Sequence, residues 1–171
     1  ALLTPANYYL VRYLDSPYPE QKGFFEKHAD KYRPERDVTF SVDMSQFDFS
    51  KFEKENSKFR GVFLLGTFNN YCDDCDKMED EDGDLIYTKT IKVRKGIHKF
   101  IFSVNGWERT SGPKPDSDCD AAPGFKDNIY ALEVLDQDVI LDTVCWWGDC
   151  RDCTGNQVYD LSLSYDENLI R

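Results

Sequence analysis

The stretch LIYTKTIKVRKGIHKFIFSV, residues 85–104, decides the fold. Its two halves, 85–93 and 96–104, are rich in β-branched and aromatic residues and are joined through Arg94, Lys95 and Gly96. Alternation of apolar and polar residues puts one side of a segment on a core and the other in water, the pattern of half-buried strands. Two such runs around a short glycine-containing connection predict a β-hairpin.

The same period extends in both directions. In VTFSVDM (38–44), Val38, Phe40, Val42 and Met44 share one face, with Thr39, Ser41 and Asp43 on the other. GVFLLGTF (61–68) is nearly continuous apolar sequence, as expected of a central strand. NIYALEVL (128–135) and VILDTV (139–144) follow one another around an Asp-Gln-Asp turn, and QVYDLSLSY (157–165) alternates through Tyr159, Leu161, Leu163 and Tyr165. Between the first two strands, residues 45–60 read as a polar loop whose Phe47, Phe49, Phe52 and Phe59 belong partly to the core. Short strands at this spacing, with little helix, predict an all-β, antiparallel β-sandwich.

The first 36 residues differ. YYLVRYL (8–14) reads as a short strand, and residues 19–32 space Phe24, Phe25, His28, Ala29 and Tyr32 as one short helix would. Pro5, Pro17, Pro19 and Pro34 divide this region, which we expect to be an irregular extension docked on the main body or on a neighbouring chain. The expected division is an extension at 1–36, a sandwich at 37–153 and a C-terminal strand or tail at 154–171.

Composition narrows the partners. The chain has 171 residues, 32 acidic against 21 basic, for a net charge of −11. Such a field repels phosphate backbones and anionic lipid surfaces, so nucleic acid is excluded as a partner. No run approaches the ~18 consecutive apolar residues of a membrane span, and no membrane insertion is expected. The opening ALLTPANYYLVRYL reads as a mature or trimmed N-terminus rather than an intact signal peptide.

Six cysteines, Cys72, Cys75, Cys119, Cys145, Cys150 and Cys153, suggest a disulfide framework in an oxidising compartment. Cys72-x-x-Cys75 with Cys150-x-x-Cys153 also has the form of a four-thiolate zinc pattern. A reactive dithiol fits less well, because Asp73, Asp74 and Asp76 raise the thiol pKa. Beyond them, Asp80, Asp82 and Asp84 around Gly83 are candidate calcium ligands. The glycine has the wrong offset for the twelve-residue helix-loop-helix site, and the alternative is a solvated turn built by Asp and Gly.

FLLGTFNNYC (63–72), MEDEDGDLIYTKTIKV (78–93) and GIHKFIFSVNGWE (96–108) together resemble the starch- and glycogen-binding β-sandwich modules. A secreted bacterial-type variant is closer, with V-T-F-x-V-D-M-S at Val38–Ser45, a C-x-x-C-x-x-M segment ending at Met78, and V-C-W-W-G-D-C at Val144–Cys150, one residue longer than the variant's V-C-W-x-x-C. The likeness spans roughly residues 37–153, and Tyr71 stands where the variant carries tryptophan. It implies an immunoglobulin-like sandwich, secretion to the extracellular space or cell surface, and non-catalytic glycan binding. It also favours disulfides over metal. Joining Cys72 to Cys75 and Cys145 to Cys150 would close two tight loops around turn residues and leave Cys119 for Cys153, with other pairings open.

In that family aromatic faces stack on sugar rings, and the matching positions here are Tyr71 and Trp107, assisted by Lys99. Asn70, Asn105 and Glu108 are the nearby candidates for hydroxyl contacts. The alternative for Trp107 is a cap on the sandwich core. Of Trp146 and Trp147, one is expected in the core and the other at the surface, since neighbours on a strand face opposite ways. Catalysis has little support: His28 and His98 are the two histidines, His98 shares a strand face with Phe100 and Phe102, and no nucleophile elbow or phosphate loop is present. The expected function is a non-enzymatic glycan binder. The competing expectations are a structural subunit that meets copies of itself or other subunits through its termini, and a calcium-stabilised envelope protein.

Overall fold

The computed structural model describes residues 34–113 and 129–158, a two-sheet β-sandwich. Strand β1 (Glu35–Asp43) is followed by helix α1 (Phe49–Glu55), β2 (Val62–Gly66), β3 (Ile86–Arg94), β4 (Gly96–Val104) and β5 (Arg109–Ser111). Then come β6 (Tyr130–Val134), β7 (Val139–Ile140) and β8 (Val144–Cys145). The expected strand at 8–14, the helix at 19–32, Cys119 and nearly all of 157–165 lie outside the described residues.

One sheet is centred on β1, which pairs antiparallel with β3 and parallel with the successive short strands β7 and β8. The second is centred on β4, with β2 on one side and β5 and β6 along the other, all antiparallel. The parallel edge departs from the purely antiparallel expectation. The first strand also starts earlier than expected, with Glu35 and Arg36 opposite Arg94 and Val93.

The predicted hairpin is overturned. β3 and β4 lie in different sheets, so Arg94-Lys95-Gly96 is an arch that carries the chain from one layer to the other. The backbone gives the reason. A two-residue hairpin loop of the favoured types needs positive φ at one or both central residues. Here Gly96 alone has it, at φ 138°, and Lys95 N donates instead to Pro34 O at 3.0 Å. The Asp136-Gln137-Asp138 connection likewise links β6 of one sheet to β7 of the other.

The arch sets the apolar faces of β3 and β4 opposite each other. Val38, Phe40, Val42 and Met44 are fully buried, as expected, and meet Phe100, Phe102, Val104 and Tyr130 across the core. Phe40 packs edge-on against Phe100 at 5.0 Å, and Phe100 stacks on Tyr130 at 5.4 Å. The outer face of the β1–β3 pair is polar: Thr39 meets Thr90 at 2.8 Å, and Asp37 meets Lys92 at 3.0 Å. Cross-strand pairs of this kind each add a few tenths of a kcal/mol to about 1 kcal/mol, so burial supplies most of the stability.

The segment expected to be a loop holds α1. Asp48 caps it by accepting Lys51 N at 2.9 Å, and Phe52 is its buried residue. Seven residues are too few for an autonomous helix, so packing must hold it. Phe47 supplies that contact by meeting Phe49, Phe52 and Trp146 at 4.9, 5.7 and 5.3 Å. The four phenylalanines are therefore core or core-packed, as the sequence predicts.

Candidate functional site

The site grows from two loops at the ends of β2 and β4. Past Gly66 the chain makes a 3-10 turn over Thr67–Asn69, and the Asn69 side chain fixes it. Asn69 Oδ1 accepts Gly66 N at 2.9 Å, while Nδ2 donates to Leu64 O at 2.9 Å and to Asp76 at 2.8 Å. Asn70 and Tyr71 then take left-handed conformations, with φ 54° and 53°. Such residues cost roughly 1–2 kcal/mol each when they are not glycine, less for Asn, so the surroundings must impose them.

Two constraints do so. Tyr71 N donates to Gly66 O at 2.9 Å, and Cys72 is joined to Cys75 with Cα atoms 5.5 Å apart. The stapled loop then returns alongside β2, where Leu64 N bonds Asp76 O and Met78 N bonds Val62 O. One residue later, Glu79 exchanges both backbone hydrogen bonds with Thr88 of β3, at 2.9 Å each. Residues 76–79 thus cross from one sheet to the other, with Met78 buried between them.

The second loop is the turn 105–108. Asn105 is left-handed at φ 53° and Gly106 at φ 72°, as the Asn-Gly dipeptide favours. Gly106 is required for a second reason: Asp73 lies directly against it, and a Cβ there would meet Asp73 Cβ at 3.1 Å and Asp73 O at 3.2 Å. The stapled loop thereby closes on the turn. It brings the Tyr71 and Trp107 rings to 6.4 Å between centroids, tilted by 33°. Trp107 remains 55% exposed and Tyr71 half-buried, so Trp107 is a surface residue and not a cap on the core.

Asn105 and Glu108 have other work. Asn105 is 6% exposed, and its Oδ1 accepts Arg60 N at 2.6 Å and Gly61 N at 3.3 Å. Its Nδ2 faces Lys58 O at 2.9 Å, with Ser57 Oγ and Glu108 at 3.2 Å each. Glu108 lies 2.7 Å from the Ser57 hydroxyl through either oxygen and 3.6 Å from Arg60. The Ser57 hydrogen bond, the Asn105 amide and Arg60 hold its carboxyl below the ordinary carboxylate range. These two residues brace the turn that presents Trp107. Their partners Ser57 and Arg60, and the pair Asp73 and Gly106, carried no sequence signal except the Asn-Gly turn.

Asn70 is exposed beside Tyr71. Lys99, half-buried on β4, lies beside the start of the stapled loop: a Cβ on Gly66 would come within 2.8 Å of Lys99 O. Its backbone N donates to Thr67 Oγ1 at 3.1 Å. His98 is not fully packed in the core; its ring nitrogens meet Thr67 Oγ1 at 3.2 Å and Arg94 O at 2.7 Å.

Cys145 pairs with Cys153, not with Cys150 as expected. The chain doubles back after Trp146, with Cys145 N donating to Arg151 O at 2.8 Å and Gly148 N to Cys145 O at 2.7 Å. That reversal brings the Cα atoms of Cys145 and Cys153 to 4.7 Å, inside the range a disulfide requires. Cys150 is also disulfide-bonded, and no described cysteine is free. A thiolate zinc site over these residues is therefore ruled out, since zinc takes deprotonated thiols. Disulfides of this kind persist in an oxidising environment. On the same reversal Trp146 packs against the core while Trp147, at φ 57°, is 47% exposed.

The carboxylates of Asp80, Asp82 and Asp84 gather within 4.8 Å of one another. Their oxygens already serve the turn. Asp80 accepts Gly83 N, Asp84 N and Leu85 N at 3.0–3.1 Å, Asp82 accepts Asp84 N at 3.2 Å, and Asp84 accepts Ile86 N at 2.9 Å. Calcium needs six to eight oxygens, and the donor set here is three carboxylates engaged with backbone amides. The turn accounts for the cluster without an ion. No helix among the described residues is long and apolar enough to cross a membrane.

Compared with known proteins, the chain matches no family model and no curated sequence.

Proposed function

We propose that the protein is an extracellular, non-catalytic carbohydrate-binding module that stacks a neutral glycan on Tyr71 and Trp107. The observation that carries this reading is the convergence of the two rings, 6.4 Å apart, with Trp107 55% exposed. Sugar rings present apolar faces that lie on aromatic surfaces, while a few polar groups orient the hydroxyls. A rigid platform lowers the entropy lost on binding, and the disulfide, the Asn69 amide and the Asn105 network all stiffen this one. Asn70 beside Tyr71 is the residue placed to meet sugar hydroxyls, with Lys99 at the start of the same loop. The motif resemblance to starch- and glycogen-binding modules supports the same ligand class. Titration of neutral oligosaccharides against the wild type and Trp107→Ala tests it: equal affinities, or no binding to either, would end this reading.

A second reading is a building block of an extracellular assembly. It is favoured by the short edge strand β7, where Ile140 is 83% exposed and neighbouring Leu135 is 51% exposed. Exposed apolar sheet edges invite strand addition from another chain. A concentration-independent monomer in size-exclusion chromatography would dismiss it.

A further inference from the structure

Exposed carboxylates stand beside the Tyr71–Trp107 pair, with Lys99 at the start of the stapled loop. Asp73 lies two residues after Tyr71 and packs on Gly106, the residue before Trp107; its Oδ2 is 3.6 Å from where a Gly106 Cβ would stand. A carboxylate is thus held at the junction of the two segments that supply the rings. It is exposed and has no hydrogen-bond or ion-pair partner among the described residues. Asp74, also exposed, follows it. The guanidinium of Arg60 is engaged with Glu108 at 3.6 Å and that of Arg109 with Glu55 at 3.4 Å.

The ring geometry suits a cation. The two rings, 6.4 Å apart and tilted by 33°, present adjoining aromatic surface. A cation within about 6 Å of a ring centroid is attracted to the face by the ring quadrupole. The whole chain, at net charge −11, adds a field of the same sign preference.

We propose that the Tyr71–Trp107 site selects glycans whose sugars carry free ammonium groups, hexosamine units with unsubstituted amines, and that Asp73 is the residue that reads the charge. This rests on the glycan-stacking reading above and adds the ligand class. A neutral hexose stacks on the same rings and gains nothing from Asp73. A uronate is repelled.

The test is calorimetric titration, in a chelating buffer at low salt, with four probes of matched length. They are a β-1,4-linked glucosamine oligomer, α-1,4- and β-1,4-linked glucose oligomers, and a lysine-rich peptide. Cation–π attraction and an exposed ion pair together predict that the glucosamine oligomer binds roughly 3–10-fold tighter than either glucose oligomer. The advantage should shrink toward unity near ~0.5 M salt, where screening shortens to a few ångströms. Asp73→Asn should remove the advantage and leave glucose-oligomer affinity within about twofold, and Trp107→Ala should weaken all sugar binding. Glucose oligomers binding as tightly as the glucosamine oligomer, or an Asp73→Asn variant that keeps the advantage, overturns the charge selection alone. Absence of binding by all three sugars overturns the stacking reading together with it. Preference for the peptide over the glucosamine oligomer overturns the ligand class.

Discussion

Asp73 and Gly106, far apart in sequence, touch where the stapled loop meets the β4–β5 turn. The contact is tight: a Cβ on Gly106 would stand 3.1 Å from Asp73 Cβ and 3.2 Å from its carbonyl, so the loop would have to give by a few tenths of an ångström. Gly106 also sits at φ 72°, where an L-residue pays about 1–2 kcal/mol. Gly106→Ala should therefore lower stability by about 1–3 kcal/mol, read as a lower denaturant midpoint. It should also push the loop off the turn and weaken sugar binding. An alanine variant with wild-type midpoint and affinity would show that the loop does not close on the turn.

The Cys72–Cys75 and Cys145–Cys153 disulfides should separate stability from site geometry. In the loop-entropy account a closure of about four residues contributes about 2 kcal/mol and one of about nine residues about 2.5 kcal/mol. Cys72→Ser with Cys75→Ser and Cys145→Ser with Cys153→Ser should thus cost similar amounts of stability. Sugar affinity should fall mainly in the first pair, because that staple holds Tyr71 in its left-handed conformation beside Trp107. Equal loss of affinity in both pairs, at matched residual stability, would remove the positioning role of Cys72–Cys75.

Sequence periodicity revealed the strands but not their partners. The period of two in 85–93 and 96–104 is the same whether the segments lie side by side or face each other across a core, so a hairpin and an arch read alike until the turn's φ values are known. α1 was hidden by its polarity: Asp48 as N-cap and Phe49 and Phe52 three apart were a helical signal, but seven residues take their stability from packing that the sequence does not display. At the site, Tyr71 and Trp107 were legible as aromatic residues on turns. Their meeting depends on Gly106 and Asp73, which no local pattern connects. Asn105 was misread for a related reason. A polar residue beside an exposed tryptophan resembles a ligand contact, and only the fold reveals that its amide is spent on Arg60, Gly61 and Lys58.

That buried amide is the turn's main polar support. Truncating Asn105 to Ala removes the side-chain partner of the Arg60 and Gly61 amides and the Lys58 carbonyl, and puts at φ 53° a residue that tolerates the left-handed region less well than Asn. An unsatisfied buried group costs about 1–3 kcal/mol, so Asn105→Ala should be among the more damaging single changes, lowering stability by about 2–4 kcal/mol. Asn105→Gly tolerates the backbone and should cost less. If the two substitutions cost the same, hydrogen bonding alone sets the requirement and the left-handed backbone contributes nothing.

Acid should loosen the same turn. Ser57, then Asn105, then Arg60 hold the Glu108 carboxyl below its ordinary value of 4.5 in the folded protein. A group whose pKa is depressed by folding stabilises the fold fully above its unfolded pKa, and loses that contribution as pH falls through the folded value. The Trp107 turn should therefore be unaffected between neutrality and about pH 5, then weaken below the ordinary carboxylate range. Melting temperature measured against pH for the wild type and Glu108→Gln checks this. The glutamine variant should lose part of the acid-limb slope, and an identical slope in both would assign the acid sensitivity to other carboxylates.

The Asp80 turn offers a direct choice between ion and backbone as the reason for its acidity. Asp80 alone accepts three amides, from Gly83, Asp84 and Leu85, and Leu85 is held at φ 67°. Asp84 accepts Ile86 N, which lowers its pKa, yet desolvation and the neighbouring Asp82 and Asp80 leave it raised overall. Asp82 moves the opposite way, lowered first by its hydrogen bond with Asp84. Asp80→Ala should then cost about 1–2 kcal/mol through lost amide partners, with Asp80→Asn, which retains an acceptor oxygen, costing less. Chelator should leave the wild-type melting temperature unchanged, and millimolar calcium should shift it no more than it shifts Asp80→Ala. A rise of several degrees with calcium that vanishes in Asp80→Ala would instead make the cluster a calcium site and the backbone bonds its scaffold.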